Sequence, residues 1–172
     1  FGNDQDVTLT HVADSGLALK SIATADNKPI RLVLQTGETD MAANDVIGAL
    51  DFQAPDEGTG TDAVLVAASI EAVSEGDFSS SANATSLVFK TGASEAAAAK
   101  LSLTSAGHLL PATDDTHDLG SASFQWRNIY TGDLHLSNES KSEGNKVDGT
   151  TGNWTIQEGS EDLFILNYKS GK

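Results

Sequence analysis

The chain has 172 residues and a mass of 17.8 kDa, contains no cysteine, and carries 25 Asp and Glu against 10 Lys and Arg, a formal net charge of −15. These values exclude a disulfide framework and a cysteine-based zinc site, and they argue against nucleic acid or an anionic membrane surface as a partner. Leu, Ile, Val and Phe number 39 and alanine 22, a thin supply of large apolar side chains for one globular core of this length.

Alternation of apolar and polar residues, the mark of strands with one covered face, recurs along the chain. Val7-Thr8-Leu9-Thr10 and Leu17-Ala18-Leu19-Lys20 flank Asp14-Ser15-Gly16 and predict a first hairpin. Ile30 to Gln35 predicts a strand after Asn27-Lys28-Pro29, whereas Glu38 to Asn44 is helix-prone yet too short to stand as a helix unaided. Val46 to Phe52, split by Gly48, predicts the next strand, and Pro55 to Gly60 a turn. Asp62 to Val73 then places Val64, Val66, Ala68 and Ile70 on one face. After a second turn cluster at Ser79 to Asn83, Leu87 and Phe89 are in phase, as are Leu101 and Leu103. The alanine run Ser94 to Lys100 favours helix by propensity, but its length predicts a hairpin joining Leu87–Lys90 to Lys100–Ser105.

From Gly107 the pattern becomes aromatic and irregular through Gln125-Trp126-Arg127-Asn128-Ile129-Tyr130, and Leu134-His135-Leu136 predicts a short strand. Val147 is the only large apolar residue between Ser137 and Asn153, so residues 137–153 read as a solvated polar linker or long loop. Trp154–Gln157 and Leu163–Tyr168, separated by five polar or small residues, predict a hairpin. Such a hairpin is marginal alone and needs further strands or partner chains. With Phe1 at the start and a polar stop just after this strand, the sequence is expected to be a piece of a longer chain. No apolar run approaches the ~18 residues of a membrane span, and no membrane insertion is expected.

Catalytic and metal chemistry find little support. His11, His108, His117 and His135 are scattered, without the paired spacing of a metal site. Asp114, Asp115 and Asp118 do not match a calcium loop and have the chemistry of turn residues. A Gly-x-Ser-x-Gly elbow, a phosphate-binding glycine loop and a cysteine nucleophile are all missing from the sequence. The expectation is a protein that is not an enzyme and uses no cofactor.

The most specific stretch is Gly107-His108-Leu109-Leu110-Pro111, then Asp118-Leu119-Gly120-Ser121, then Trp126-Arg127-Asn128-Ile129-Tyr130. In that order it resembles a module of phage tail fibres and related receptor-binding proteins. Thr85 to Ser105 resembles the strand unit that precedes the module, and Asn153 to Glu158 is similar to fibre ends of marine phages; together the resemblance covers residues 85–172. It implies an all-β, elongated fold of repetitive short strands and hairpins, an intertwined homotrimeric β-fibre with β-prism or β-helix-like segments. Residues 1–84 would be a β-repeat shaft-like region, 85–136 the strand unit and module, 137–153 the linker, and 154–172 the start of a truncated C-terminal β unit. Pro111, Asp118, Leu119, Gly120, Trp126, Ile129, Tyr130 and Trp154 take packing roles in this reading: Trp126 and Tyr130 as anchors, Gly120 permitting a tight turn, Asp118 capping it. The implied partners are two further copies of the chain, other tail or fibre proteins, and a host-cell surface glycan or protein, with the chain extracellular on the virion. In a trimer, His117 or His135 would supply three ligands at the axis to a transition metal or an anion. A bacterial surface adhesin or appendage subunit is the alternative reading, and a polysaccharide-depolymerising tailspike a third.

Overall fold

The computed structural model describes residues 7–14, 16–54 and 60–170. Among them are ten strands and one three-residue 3-10 turn, with no α-helix, so the fold is all-β. They fall into two compact units, Phe1–His117 and Asp118–Lys172.

In the first unit, β1 (Val7–Val12) and β2 (Gly16–Ser21) form an antiparallel hairpin in which Leu9 faces Leu19 and Val12 faces Gly16. Its reversal places Asp14 and Gly16 at positive φ, 59° and 135°; Ser15 lies outside the described residues. A five-stranded meander follows, β3 (Val46–Gln53), β4 (Val66–Ser74), β5 (Thr85–Thr91), β6 (Ala98–Leu103) and β7 (Leu109–Pro111), every neighbour antiparallel and in sequence order. Because each strand pairs with the next, no crossover is needed, and the connections range from five residues between β6 and β7 to twelve between β3 and β4. The turn between β6 and β7 has the Thr104 N–H on the His108 carbonyl at 2.9 Å, with Gly107 at φ 83°. Pro111 sits at the end of the edge strand β7, where its missing N–H leaves no ladder bond unmade.

The expected hairpin between Leu87–Lys90 and Lys100–Ser105 is β5–β6, and the alanine run supplies strand residues in place of helix. Two expected elements differ. Residues 62–64 form the 3-10 turn, so the strand predicted from Asp62 starts at Val66. Ile30–Gln35, read as a strand from its alternation, joins no ladder; Leu34 lies against β3 at Gly48, where a Cβ would come within 2.9 Å of the Leu34 Cβ. The helix-prone stretch Glu38–Asn44 is a turn, because Asn44 adopts φ 74° and the Asp45 carboxylate takes the Ala42 N–H at 2.6 Å. That turn is docked on the end of β4: Ser74 exchanges backbone hydrogen bonds with Asn44 and Asp45, each 2.9 Å, and its hydroxyl donates to the Ala42 carbonyl. The turn predicted at Pro55–Gly60 lies, but for Gly60, outside the described residues.

In the second unit, β8 (Leu134–Ser137), β9 (Asn153–Glu158) and β10 (Leu163–Asn167) form a three-stranded antiparallel sheet with β9 in the middle. The expected terminal hairpin is β9–β10, closed by the Gly159 N–H on the Asp162 carbonyl at 2.7 Å.

Candidate functional site

Cross-strand register gives the five-stranded sheet two unlike faces. On one, Leu50 of β3, Ile70 of β4, Phe89 of β5, Leu101 of β6 and Pro111 of β7 stand opposite one another in a continuous row. A second row, Ala72, Leu87, Leu103 and Leu109, runs beside it. On the other face Asp51, Ser69 and Lys90 are aligned; the Ser69 hydroxyl donates to Asp51 at 2.6 Å, and Lys90 pairs with Glu71 at 2.6 Å. Alternation along each strand sorts the side chains this way, since neighbours in sequence point to opposite faces.

The apolar face is only partly covered: Leu34 sits on it at Gly48, and Ile70 and Leu101 are half-buried. Among the described residues no hydrophobic side chain is buried, and the buried side chains are Ser69, Ser74 and Thr155. Phe52 is 56% exposed, and Leu50, Leu87, Phe89, Leu103 and Leu109 are exposed as well. A sheet that is apolar on one face is stable only when a second layer covers it.

The residues of the tail-fibre-like module are scattered over irregular backbone and exposed. Trp126 is 64% and Tyr130 93% exposed, and Leu119, Phe124 and Ile129 are also open to solvent. Gly120 has φ 90°, and a Cβ there would lie 3.0 Å from the Phe124 carbonyl, a backbone conformation and a close approach that favour glycine. Ser121 closes that turn, its N–H on the Phe124 carbonyl at 2.9 Å and its hydroxyl accepting the Phe124 N–H at 3.1 Å. Ser-turn chemistry of this kind is local, a hydroxyl standing in for a backbone acceptor three residues back along the chain.

The second unit contains a cleft of about 720 Å3 between the β8–β9 connection and the ends of the strands. The connection, residues 138–152, is rich in Gly, Asn, Asp and Thr, and it folds on itself through their side chains. The Asn145 carboxamide donates to Asp148 at 2.7 Å and to the Thr150 carbonyl at 2.9 Å, and its oxygen accepts the Val147 N–H at 2.8 Å. Asp148 in turn accepts the Thr150 N–H and hydroxyl at 3.0 and 2.8 Å. These bonds hold the Asp148 carboxyl below its ordinary range, the Thr150 N–H being the largest cause. Asn138 clamps the base of the loop by accepting the Gly152 N–H at 2.6 Å. Gly144, at φ 68°, passes so close to Gly149 that a Cβ would lie 2.2 Å from its carbonyl oxygen.

Trp154 of β9 lines the cleft, its pyrrole edge set against Gly152, where a Cβ would lie 2.7 Å from Nε1. Lys141, Lys146 and Lys169 line it too, with Glu143 as the acidic group. Lys169 is tied down by Thr151 at 2.5 Å and stands 4.0 Å from Glu139. On β8, His135 shares a hydrogen bond of 2.7 Å with Thr155, which is fully buried. Among the described residues no three of His, Asp and Glu gather as a metal-holding group, and no helix is long and apolar enough to cross a membrane.

The structure thus places Trp154, read as a packing residue, in a cleft wall, while Pro111 ends the apolar row of the first unit. No family model matches the sequence, and no curated protein matches it.

Proposed function

We propose that the chain is a segment of a virion attachment fibre of the phage tail-fibre kind, a homotrimer that acts extracellularly by holding a host-cell surface rather than by catalysing a reaction. The observation that carries this reading is the largely open apolar face of the five-stranded sheet, with its row Leu50-Ile70-Phe89-Leu101-Pro111. Three such faces turned toward a common axis give each sheet its missing layer and form a prism, without requiring any one chain to build a core of its own.

Each half-exposed Leu or Phe covered by a neighbouring chain adds about 1 kcal/mol. In the same arrangement the exposed Trp126, Ile129 and Tyr130 find their packing partners on another chain, which accounts for anchors that no single chain covers. Repetition of a receptor contact three times per fibre then converts weak binding into durable adhesion.

Sedimentation equilibrium and light scattering test the proposal. The expected mass is three chains, unchanged on dilution until the fold itself melts. A cooperatively folded monomer over a wide concentration range overturns it, and a stable dimer keeps the shared core but removes the fibre as its explanation.

A further inference from the structure

We infer that Ile30–Gln35 is a sixth strand of the five-stranded sheet, pairing antiparallel with the outer edge of β3, and that the pairing closes when the apolar face is covered, a step that rests on the attachment reading above. The first observation is an unused strand. Residues 30–35 alternate, and Ile30, Leu32, Val33 and Leu34 are all exposed. None of their backbone groups makes a hydrogen bond to another described residue. An alternating apolar stretch in that state is a strand without a neighbour. The second observation is an open edge. β3 ends the sheet, eight residues long and without proline, and pairs on one side only, with β4. The opposite edge, β7, is three residues long and finishes at Pro111, so it is blunted already. β3 is left as the edge that invites a foreign strand, a liability that natural sheets cover.

The third observation fixes the register. Leu34 already lies against β3 at Gly48, where a Cβ would come within 2.9 Å of its own Cβ. Carried antiparallel from that contact, the pairing sets Leu32 opposite Leu50, Ile30 opposite Phe52 and Arg31 opposite Asp51. Leu32 then falls on the apolar face and extends the row Leu50-Ile70-Phe89-Leu101-Pro111 by one strand. Arg31 falls on the polar face, in line with Asp51, Ser69 and Lys90. Asp51 uses one oxygen for the Ser69 hydroxyl, which leaves the other for the guanidinium. A slip of one residue would turn Leu32 and Leu34 to the polar face, and a slip of two would put Arg31 opposite Ala49 or Gln53. The contact at Gly48, the apolar pattern and the charge pair therefore select the same register.

Assembly supplies the reason for closing. Ordering the segment costs backbone entropy, and ladder bonds at a water-exposed edge return little of it net. Ile30, Leu32 and Leu34 stay in water while the face is open, so pairing in the single chain brings no apolar gain. A neighbouring chain laid on that face covers them too, and the closed strand then blocks open-ended addition of further chains at the edge.

Amide hydrogen exchange of the whole chain, read residue by residue by NMR, tests the inference. In an antiparallel edge strand every second N–H points to the neighbour. The expected result is therefore slow exchange at one alternate set of residues 30–35, roughly tenfold or more slower than at the other set. Arg31→Glu, an exposed substitution that sets like charges opposite each other, is expected to speed exchange of the slow set about fivefold. In an Asp51→Asn background, which keeps an acceptor for Ser69, the same change is expected to have little effect. Uniform slowing along the segment would mean that it is merely covered and overturns the inference. So does unprotected exchange throughout, or an Arg31→Glu effect that Asp51→Asn leaves unchanged. The mass of the same sample separates this inference from the fibre reading. An oligomer without the alternation overturns the strand alone, and a monomer without it overturns both. A monomer that shows it overturns the fibre, and with it the dependence on assembly, and leaves the pairing.

Discussion

In the five-stranded sheet the side chains that carry the pattern are apolar and half-buried or open to solvent, whereas in the loop of residues 138–152 they are polar and bonded to one another. The sheet has its ladders formed but only a fragment of a second layer; the loop has no ladder but closes through Asn138, Asn145 and Asp148. The difference separates two sources of order within one chain. Apolar order is a demand for a partner, because its free energy appears only when water leaves. Polar order of this local kind is complete within the chain, which is why an exposed stretch of 15 residues, nearly free of large apolar groups, holds a defined shape.

The sharpest way to break the comparison is to charge the apolar row at its centre. Phe89→Asp places a carboxylate between Ile70 and Leu101. If three copies bury this row, an unpaired charge in it is expected to abolish assembly, a loss exceeding the ~3–5 kcal/mol of a Phe truncation. Light scattering reads the result; an intact oligomer shows that the row faces solvent in the assembly too.

The loop is expected to fail at Gly144. Gly144→Ala must place a methyl group where the Gly149 carbonyl already lies, at a residue with φ 68°. The positive φ alone costs about 1–3 kcal/mol, and the collision forces the turn apart. Hydrogen exchange at Asn145 and Thr150 is expected to accelerate while that of β4 and β5 stays slow. Equal acceleration in both units would show that loop and sheet are not independent sources of order.

How far the sequence discloses each region follows from the same physics. The strands of the sheet were legible because period-2 alternation is a direct consequence of the pleat, and β5–β6 was read correctly through an alanine run whose propensity pointed to helix. Ile30–Gln35 has the same alternation and yet no ladder, since alternation reports a strand-forming preference and not a completed pairing. The loop is opaque to such a reading, because its order depends on Asn145 reaching Asp148 and Thr150, short-range contacts that leave no apolar period. Glycines at 144 and 149 were the available signal, both at positive φ. The cleft was hidden for a further reason: Lys141 and Lys146 precede Trp154 and Lys169 follows it by fifteen residues, and only the folding of the loop onto the strand ends brings them to one wall.

A smaller effect is expected from the polar face of the sheet. Lys90 and Glu71 form a cross-strand pair at 2.6 Å, with side chains 28% and 13% exposed. A double-mutant cycle of Lys90→Met and Glu71→Gln is expected to give a coupling of about 1 kcal/mol, and less at high salt. A coupling of several kcal/mol, insensitive to salt, would mean that this face is the one covered in the assembly, reversing the assignment of inner and outer faces.

The smallest expected effect is the response to acid, and it distinguishes the loop's bonding from a chance of placement. The Asp148 carboxyl is held below its ordinary value of 3.8 by the Thr150 N–H, the Thr150 hydroxyl and Asn145. Because the folded value is the lower one, the bonds contribute stability that is fully present above 3.8 and is lost as pH falls through the folded value. Glu75, lowered from 4.5 by the Ser105 hydroxyl and then its N–H, ties the end of β4 to the β6–β7 turn by the same logic. Following both carboxyl carbons by NMR as pH is lowered from 6 is expected to give midpoints below 3.8 for Asp148 and below 4.5 for Glu75. Exchange of the Thr150 amide is expected to accelerate, relative to its intrinsic rate, only as Asp148 takes up its proton. Asp148→Asn, which keeps the shape but weakens the acceptor, is expected to remove that pH dependence and leave the response of Glu75 in place. An Asp148 midpoint at or above 3.8 would show that the loop's carboxylate is solvated rather than bonded, and the contrast between a self-sufficient loop and a partner-dependent sheet would lose its polar half.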